Sequence, residues 1–323
     1  MRKLAPVLLI GTLSMLFAEV FSGASQMWYV SGWGLLITFP LYSAHLLFFL
    51  NIAMKLRKTS LSQLYLFGVI FGLYESWITK VLWAGYIESQ GPGMGTLFGV
   101  GISEFPVLVF FWHPIMSFIL PIIVFEILTG KVIRDHQWIL RKTAKKTILI
   151  TLFLISIATF IANGNNYSPV SSDLSLIGTL LIIYLLYRLT KDMDLRSIEL
   201  HRKSITVLII YLFLLYAVSF FYLLPERKPV TVLPYLTVIS FYIISIVLIL
   251  KSKKKQAEME ILKENLYSGK DFLKFMIILI LLVNILSLVP EISSVILMIT
   301  YISFIFVGTV TFTVTAYRNI RRS

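Results

Sequence analysis

The chain has 323 residues, of which 58% are hydrophobic and 14% charged, with a mean hydropathy of +0.86. Soluble domains run at about 45–50% apolar and 25% charged residues, so a soluble fold is excluded and the composition is that of an all-α integral membrane protein. The net charge of +13 does not point to nucleic acid, because the basic residues fall in short segments between apolar runs. The absence of cysteine removes disulfides, thiolate metal sites and cysteine nucleophiles.

Ten runs are long enough to cross roughly 30 Å of hydrocarbon: near 4–22, 28–50, 63–86, 105–128, 147–163, 174–190, 205–224, 231–250, 272–290 and 292–317. The first begins Met-Arg-Lys and ends near Ser22-Gly23-Ala24, the outline of a signal peptide whose cleavage would leave nine spans; Glu19, late in its apolar region, argues against cleavage. The third run carries Gly68, Gly72 and Ser76 every fourth residue, a stripe that lets another helix approach closely, with Glu75 and Lys80 beside it. The outer loop Ile87–Ser103 is rich in glycine. In the fourth run Pro106 suits a first turn, whereas Pro114 and Pro121 each remove an i→i−4 bond. His113, Ser117 and Pro121 share one face of that run.

Of the 29 Lys and Arg, 26 fall in alternate segments, Arg227 and Lys228 lie on the opposite side, and Lys80 is inside a span. This asymmetry predicts a multi-pass cell-membrane protein with ten spans and both termini cytoplasmic. Composition divides the chain into a four-helix charged module at 1–130, a basic cytoplasmic linker at 131–146 and a six-helix apolar module at 147–323. Within 251–271, Met259, Leu262 and Leu266 are spaced for a short amphipathic surface helix, and its lysines and the other basic loops would favour anionic lipid headgroups.

Seven ionisable residues fall within or at the edge of the first four predicted spans, Glu19, His45, Glu75, Lys80, Glu104, His113 and Glu126, and the later spans carry no charge in their interiors. A charge in hydrocarbon is costly unless it faces a partner or a wet cavity, so these are the candidate site. At 1.5 Å per residue, Glu75 lies roughly 18 Å and His113 roughly 12 Å from the outer ends of their spans. Glu19, Glu75, Lys80, Glu104 and His113 are therefore expected to share an outward-facing cavity, with His45 and Glu126 in the inner half, where they would pair. The alternative to a functional centre is a set of buried Glu–Lys or Glu–His pairs that pin the helices in register.

Several chemistries are missing: there is no HExxH zinc motif, no Asp within the predicted spans, and neither an ExxH pair nor a DxxxD motif. Gly101-Ile102-Ser103 lacks the following glycine of a serine-nucleophile turn.

The runs Phe17–Ser25 (FAEVFSGAS), Phe71–Ser76 (FGLYES) and His113–Glu126 (HPIMSFILPIIVFE) resemble a family of uncharacterised archaeal and bacterial multi-pass proteins. Its pattern is AE-x-x-SGS, then YG-x-x-EE, then His with Ser four residues on and a trailing Glu; the resemblance covers about residues 15–130. More distantly, Glu75 to Lys80 followed by Glu104 and His113 is similar to the intramembrane glutamate proteases of the CPBP and PrsW groups. Ser76 replaces the second Glu of their motif, and Lys80 replaces an Arg whose fork a lysine cannot make. That resemblance implies a membrane-embedded hydrolase acting on peptide or lipid at the outer leaflet. Glu75 would be the base, His113 an acid or water-positioning group and Lys80 an electrostatic stabiliser. Glu19, Glu104, Ser117, His45 and Glu126 would be binding groups, and a divalent metal, if bound, would take Glu75, Glu104 and His113. The other readings are a proton-coupled transporter, with Glu75 and His113 as relay groups, and a non-catalytic membrane subunit.

Overall fold

The computed structural model describes residues 4–87, 89–191, 193–255 and 257–322. Arg2 and Lys3 of the predicted cytoplasmic terminus, and the side chains of Ser76 and Arg322, lie outside the described residues. In chain order the elements are α1 (Ala5–Met15, continuing as a π-turn Leu16–Val20), α2 (Gly34–Leu56), α3 (Leu61–Thr79) and α4 (Val81–Ala84). The strands β1 (Thr96–Leu97) and β2 (Val100–Gly101) follow, then α5 (Pro106–Thr129), β3 (Lys131–Ile133) and α6 (Gln137–Leu140). The remainder is α7 (Ala144–Gly164), α8 (Pro169–Thr190), α9 (Arg202–Tyr222), α10 (Leu233–Lys251), β4 (Met259–Ile261), α11 (Gly269–Ser287) and α12 (Pro290–Arg322).

Helices cover most of every predicted apolar run. Among the described residues, seven helices are long and apolar enough to cross a membrane: α2, α5, α7, α8, α9, α10 and α12. The protein is thus an all-α membrane protein, whose lipid-facing helices satisfy their own backbone polar groups. Extensive exposure of Leu, Ile, Val and Phe along α7 to α12, Phe213, Leu250 and Phe306 among them, is what a bilayer-facing surface requires.

Two expectations about local structure fail. The third run is not one helix: α3 stops at Thr79, Lys80 takes a left-handed conformation (φ 59°), and α4 restarts at Val81. A lysine at positive φ is held there only by its surroundings. Nor is 251–271 an amphipathic helix. Met259–Ile261 is a strand, antiparallel to Lys131–Ile133 with Val132 opposite Glu260. Here the backbone partner supplied by a distant segment overrides the local 3.6-residue spacing.

The described chain forms two compact units. The first comprises Met1–Leu47, Leu120–Glu199 and Ala257–Thr300; the second comprises Phe48–Ile119, Leu200–Gln256 and Tyr301–Ser323. Each draws on both sides of the compositional boundary at 131–146. In the first unit α1 packs on α8 and on the second half of α5, and α7 packs on α11. Asn284 of α11 donates to Asp173 of α8 at 2.9 Å, so α8 includes a carboxylate that the predicted span left outside.

In the second unit α3 lies along the first half of α5. A Cβ at Gly68 would stand 2.5 Å from the Pro114 Cα, and one at Gly72 would stand 3.1 Å from the His113 Cβ. The glycine stripe therefore does what its spacing predicts at these two positions: it brings the α5 backbone against α3.

Candidate functional site

The close approach of α3 and α5 in the second unit sets Glu75 opposite His113. The His113 Nε2 lies 2.8 Å from the Glu75 Oε2, with the two side chains 3% and 11% exposed. The other ring nitrogen, Nδ1, is 3.2 Å from the Ser117 hydroxyl one turn further along α5. The Phe71 ring, one turn before Glu75, tilts against the imidazole at 5.5 Å between centroids. Glu75, His113 and Ser117 thus form a continuous polar line in an otherwise apolar contact.

The path of α5 explains the line. From Pro106 to Ile119 the helix is wound as a π-helix, and Pro114 lies inside it. In a π-helix Pro114 has no N–H to offer the Val109 carbonyl five residues back; the Tyr65 hydroxyl of α3 donates to the neighbouring Phe110 carbonyl at 2.7 Å. Wide turns of this kind recur at functional positions because they displace side chains from the regular helical face.

Glu104 lies in the same unit but on other partners. It accepts from the Gly93 amide at 2.8 Å and from the Ser103 hydroxyl at 2.9 Å, and is 2% exposed. Tyr86 is within electrostatic range of both Glu75 and Glu104, and the Tyr301 hydroxyl donates to the Tyr86 hydroxyl at 3.3 Å. The sequence reading missed both tyrosines, because tyrosines are abundant in the apolar runs and nothing in the spacing separates these two from the others.

Lys80 does not serve Glu75. Its ammonium donates to the Ile78 carbonyl of α3 (3.3 Å) and to the carbonyls of Ser219 (2.9 Å) and Leu223 at the C-terminal end of α9. A cation there meets the negative end of the helix dipole and shares the Ser219 carbonyl with the Leu223 amide. The ammonium that the sequence reading set beside Glu75 is bonded to these carbonyls. Trp77 and Trp83 cover the break edge to face at 5.2 Å, and both lie against Tyr235.

The remaining candidates belong to the first unit and are described within it. The Glu19 carboxylate accepts from the Ser25 hydroxyl at 2.5 Å. The His45 Nδ1 is 2.7 Å from the Leu41 carbonyl. His45 and Glu126 do not pair as expected. The chain reverses at Gly130 (φ 71°) after α5, and this returns His136 to Glu126 at 2.9 Å, with both side chains fully buried. The Ile133 amide also donates to Glu126 at 3.0 Å. The glycine four residues after Glu126 was the available signal for this reversal.

Among the described residues no three His, Asp or Glu side chains are grouped as a metal-holding cluster. Glu75 and His113 are a pair, and Glu104 is committed to Gly93 and Ser103, so the expected three-ligand set is not assembled.

No solved structure matches the chain. An uncharacterized protein of Archaeoglobus fulgidus is 44% identical over 119 residues. The match covers 37% of this chain and 37% of the length of that relative. The similarity to the glutamate proteases finds no support in these comparisons, whereas the similarity to uncharacterised multi-pass proteins does. The model of an uncharacterized membrane protein family matches residues 8–322, and the chain belongs to that family.

Proposed function

We propose that this protein is a multi-pass protein of the cell membrane, with ten crossings and cytoplasmic termini, whose Glu75–His113 pair is an acid–base centre for hydrolysis of a peptide or lipid bond. The single observation that carries the reading is the 2.8 Å contact between the His113 Nε2 and the Glu75 Oε2, placed on a π-wound, proline-bearing helix. The His113 Nε2 stands 2.8 Å from Oε2, and Nδ1 stands 3.2 Å from the Ser117 hydroxyl. The second carboxylate oxygen of Glu75 then remains to take a proton from water. The resulting hydroxide adds to the scissile carbonyl carbon, and Glu75 returns that proton to the leaving group. Glu75 is the more exposed partner of the pair and Ser117 is fully buried, which favours a water attacking from Glu75 over a serine nucleophile.

The test is cleavage of a panel of membrane peptides and lipids by purified full-length protein. Glu75→Gln is expected to lower turnover at least 100-fold, in the range of a lost general base. Equal cleavage by wild type and Glu75→Gln would overturn the assignment. The continuous line from Glu75 through His113 to Ser117 also suits proton-coupled transport. Solute uptake driven by a pH gradient in proteoliposomes, abolished by His113→Asn, with no cleavage of any substrate, would favour that reading.

A further inference from the structure

We infer that the first unit carries a binding site for a phosphate-bearing anion, separate from the acid–base centre, in the cleft between the segment after α5 and the segment before α11. The two segments are joined at both ends and open between them. At one end Lys131–Ile133 pairs with Met259–Ile261. At the other the Lys142 amide donates to the Asn265 carbonyl at 3.1 Å, and the Tyr267 amide to the Leu140 carbonyl at 2.9 Å. The unpaired middle is a cleft of about 360 Å³ lined by Arg134, Gln137, Trp138, Arg141, Glu260 and Lys263, among others.

Charge within the cleft is unevenly matched. Arg134 meets Glu258 at 3.0 Å and Glu260 at 3.4 Å, and Gln137 donates to Glu260 at 2.5 Å. The carboxylates are thereby occupied. Among the described residues neither Arg141 nor Lys263 lies within ion-pair distance of a carboxylate, and both line the cleft. An arginine fork and an ammonium facing one opening suit a phosphate, which accepts two parallel bonds from the first and a point charge from the second.

The cleft also has an apolar lip. Trp138 is 63% exposed and stands six residues before α7, at the level of the first turn of a membrane-crossing helix. Lys146 fixes the tryptophan there: its ammonium donates to the Trp138 and Ile139 carbonyls at 2.5 and 2.9 Å and lies 5.8 Å from the indole. An exposed indole beside a basic cleft, six residues before a helix able to cross a membrane, is the arrangement that holds a phospholipid by both its parts. A soluble phosphate ester would use the same two cations without the indole.

The experiment is a thermal-shift titration of the full-length protein in neutral detergent. The probes are phosphatidylglycerol, phosphatidylcholine and sn-glycerol 3-phosphate, tested on wild type, on Arg141→Gln/Lys263→Gln and on Lys253→Gln/Lys254→Gln. Phosphatidylglycerol is expected to raise the wild-type melting temperature, and phosphatidylcholine is not. Apparent affinity should fall about fivefold for each cleft charge removed, and be unchanged in the Lys253/Lys254 variant. Saturation by glycerol phosphate with the same dependence on Arg141 and Lys263 would identify a soluble ester as the source. Should the double variant fail to fold, Arg141→Lys, which keeps the charge and loses the fork, is expected to weaken binding by itself. Equal responses of wild type and the cleft variants, or no preference for phosphatidylglycerol over phosphatidylcholine, would overturn the site.

Discussion

At the scale of single residues, the cost of a buried charge decides how each pair responds to mutation. Removing His113 while keeping Glu75 strands a carboxylate in an apolar contact, a change that costs about 3–5 kcal/mol, whereas neutralising both partners removes the charge together with its counter-group. His113→Ala is therefore expected to destabilise the protein more than Glu75→Gln/His113→Asn, read as detergent or thermal unfolding of the purified protein. The reverse order would mean that the pair is solvated. Glu126 makes a parallel case. It holds His136 and the Ile133 amide together, so Glu126→Ala leaves both without their acceptor, at about 1–3 kcal/mol for each lost bond. Glu126→Gln, which still accepts from one of them, should lose less. The same unfolding assay ranks the two variants.

At the scale of elements, close approach and capping make the sharper predictions. Gly68→Ala sets a methyl 2.5 Å from the Pro114 Cα, a backbone atom that cannot move aside without shifting α5. Gly72→Ala meets the His113 Cβ at 3.1 Å, which is tight but less severe. Overpacking of this kind costs about 1–3 kcal/mol, and Gly68→Ala is expected to be the more damaging. Asp271 closes the capping box at the start of α11, accepting from the Ser268 amide and hydroxyl and pairing with Lys142 at 2.8 Å. Its partial burial alone would raise the carboxyl, but the bonds from Lys142 and Ser268 outweigh burial and hold it below the ordinary Asp value of 3.8. A depressed folded-state value favours the fold while the group is ionised. The contribution is complete above 3.8 and disappears as pH falls through the folded value. Asp271→Asn should cost about 1 kcal/mol at neutral pH, with the gap to wild type closing in acid. A gap that persists once the carboxyl is protonated in the folded protein would assign the effect to shape and not to charge.

Helix positions were legible because a 20-residue apolar run has few alternatives in lipid. The Gly68/Gly72 stripe was legible because only small residues permit the observed approach. The break at Lys80 was not, since it depends on carbonyls of α9 some 140 residues away in sequence. Nor was the Met259–Ile261 strand, whose partner lies at Lys131–Ile133.

For the whole molecule, the asymmetry of its basic residues carries the topology. Segments rich in Lys and Arg are retained on the cytoplasmic side during insertion, and 26 of the 29 lie in alternate segments of this chain. The absence of cysteine makes the arrangement directly readable, because a single introduced thiol is the sole site for a membrane-impermeant maleimide. Lys145 and Lys254 are exposed in segments assigned to the cytoplasm, and Gln90 and Glu226 are exposed in segments assigned to the outside. In intact cells Gln90→Cys and Glu226→Cys are expected to label, while Lys145→Cys and Lys254→Cys label only after the membrane is opened. The α3–α4 break at Lys80 and the loop carrying Glu104 would then face outward, as hydrolysis at the outer leaflet requires. Labelling of Gln90 and Lys145 from the same side would mean that α5 does not cross. The Glu75–His113 contact would survive that result, but access from the outer leaflet, and the substrate class argued from it, would not.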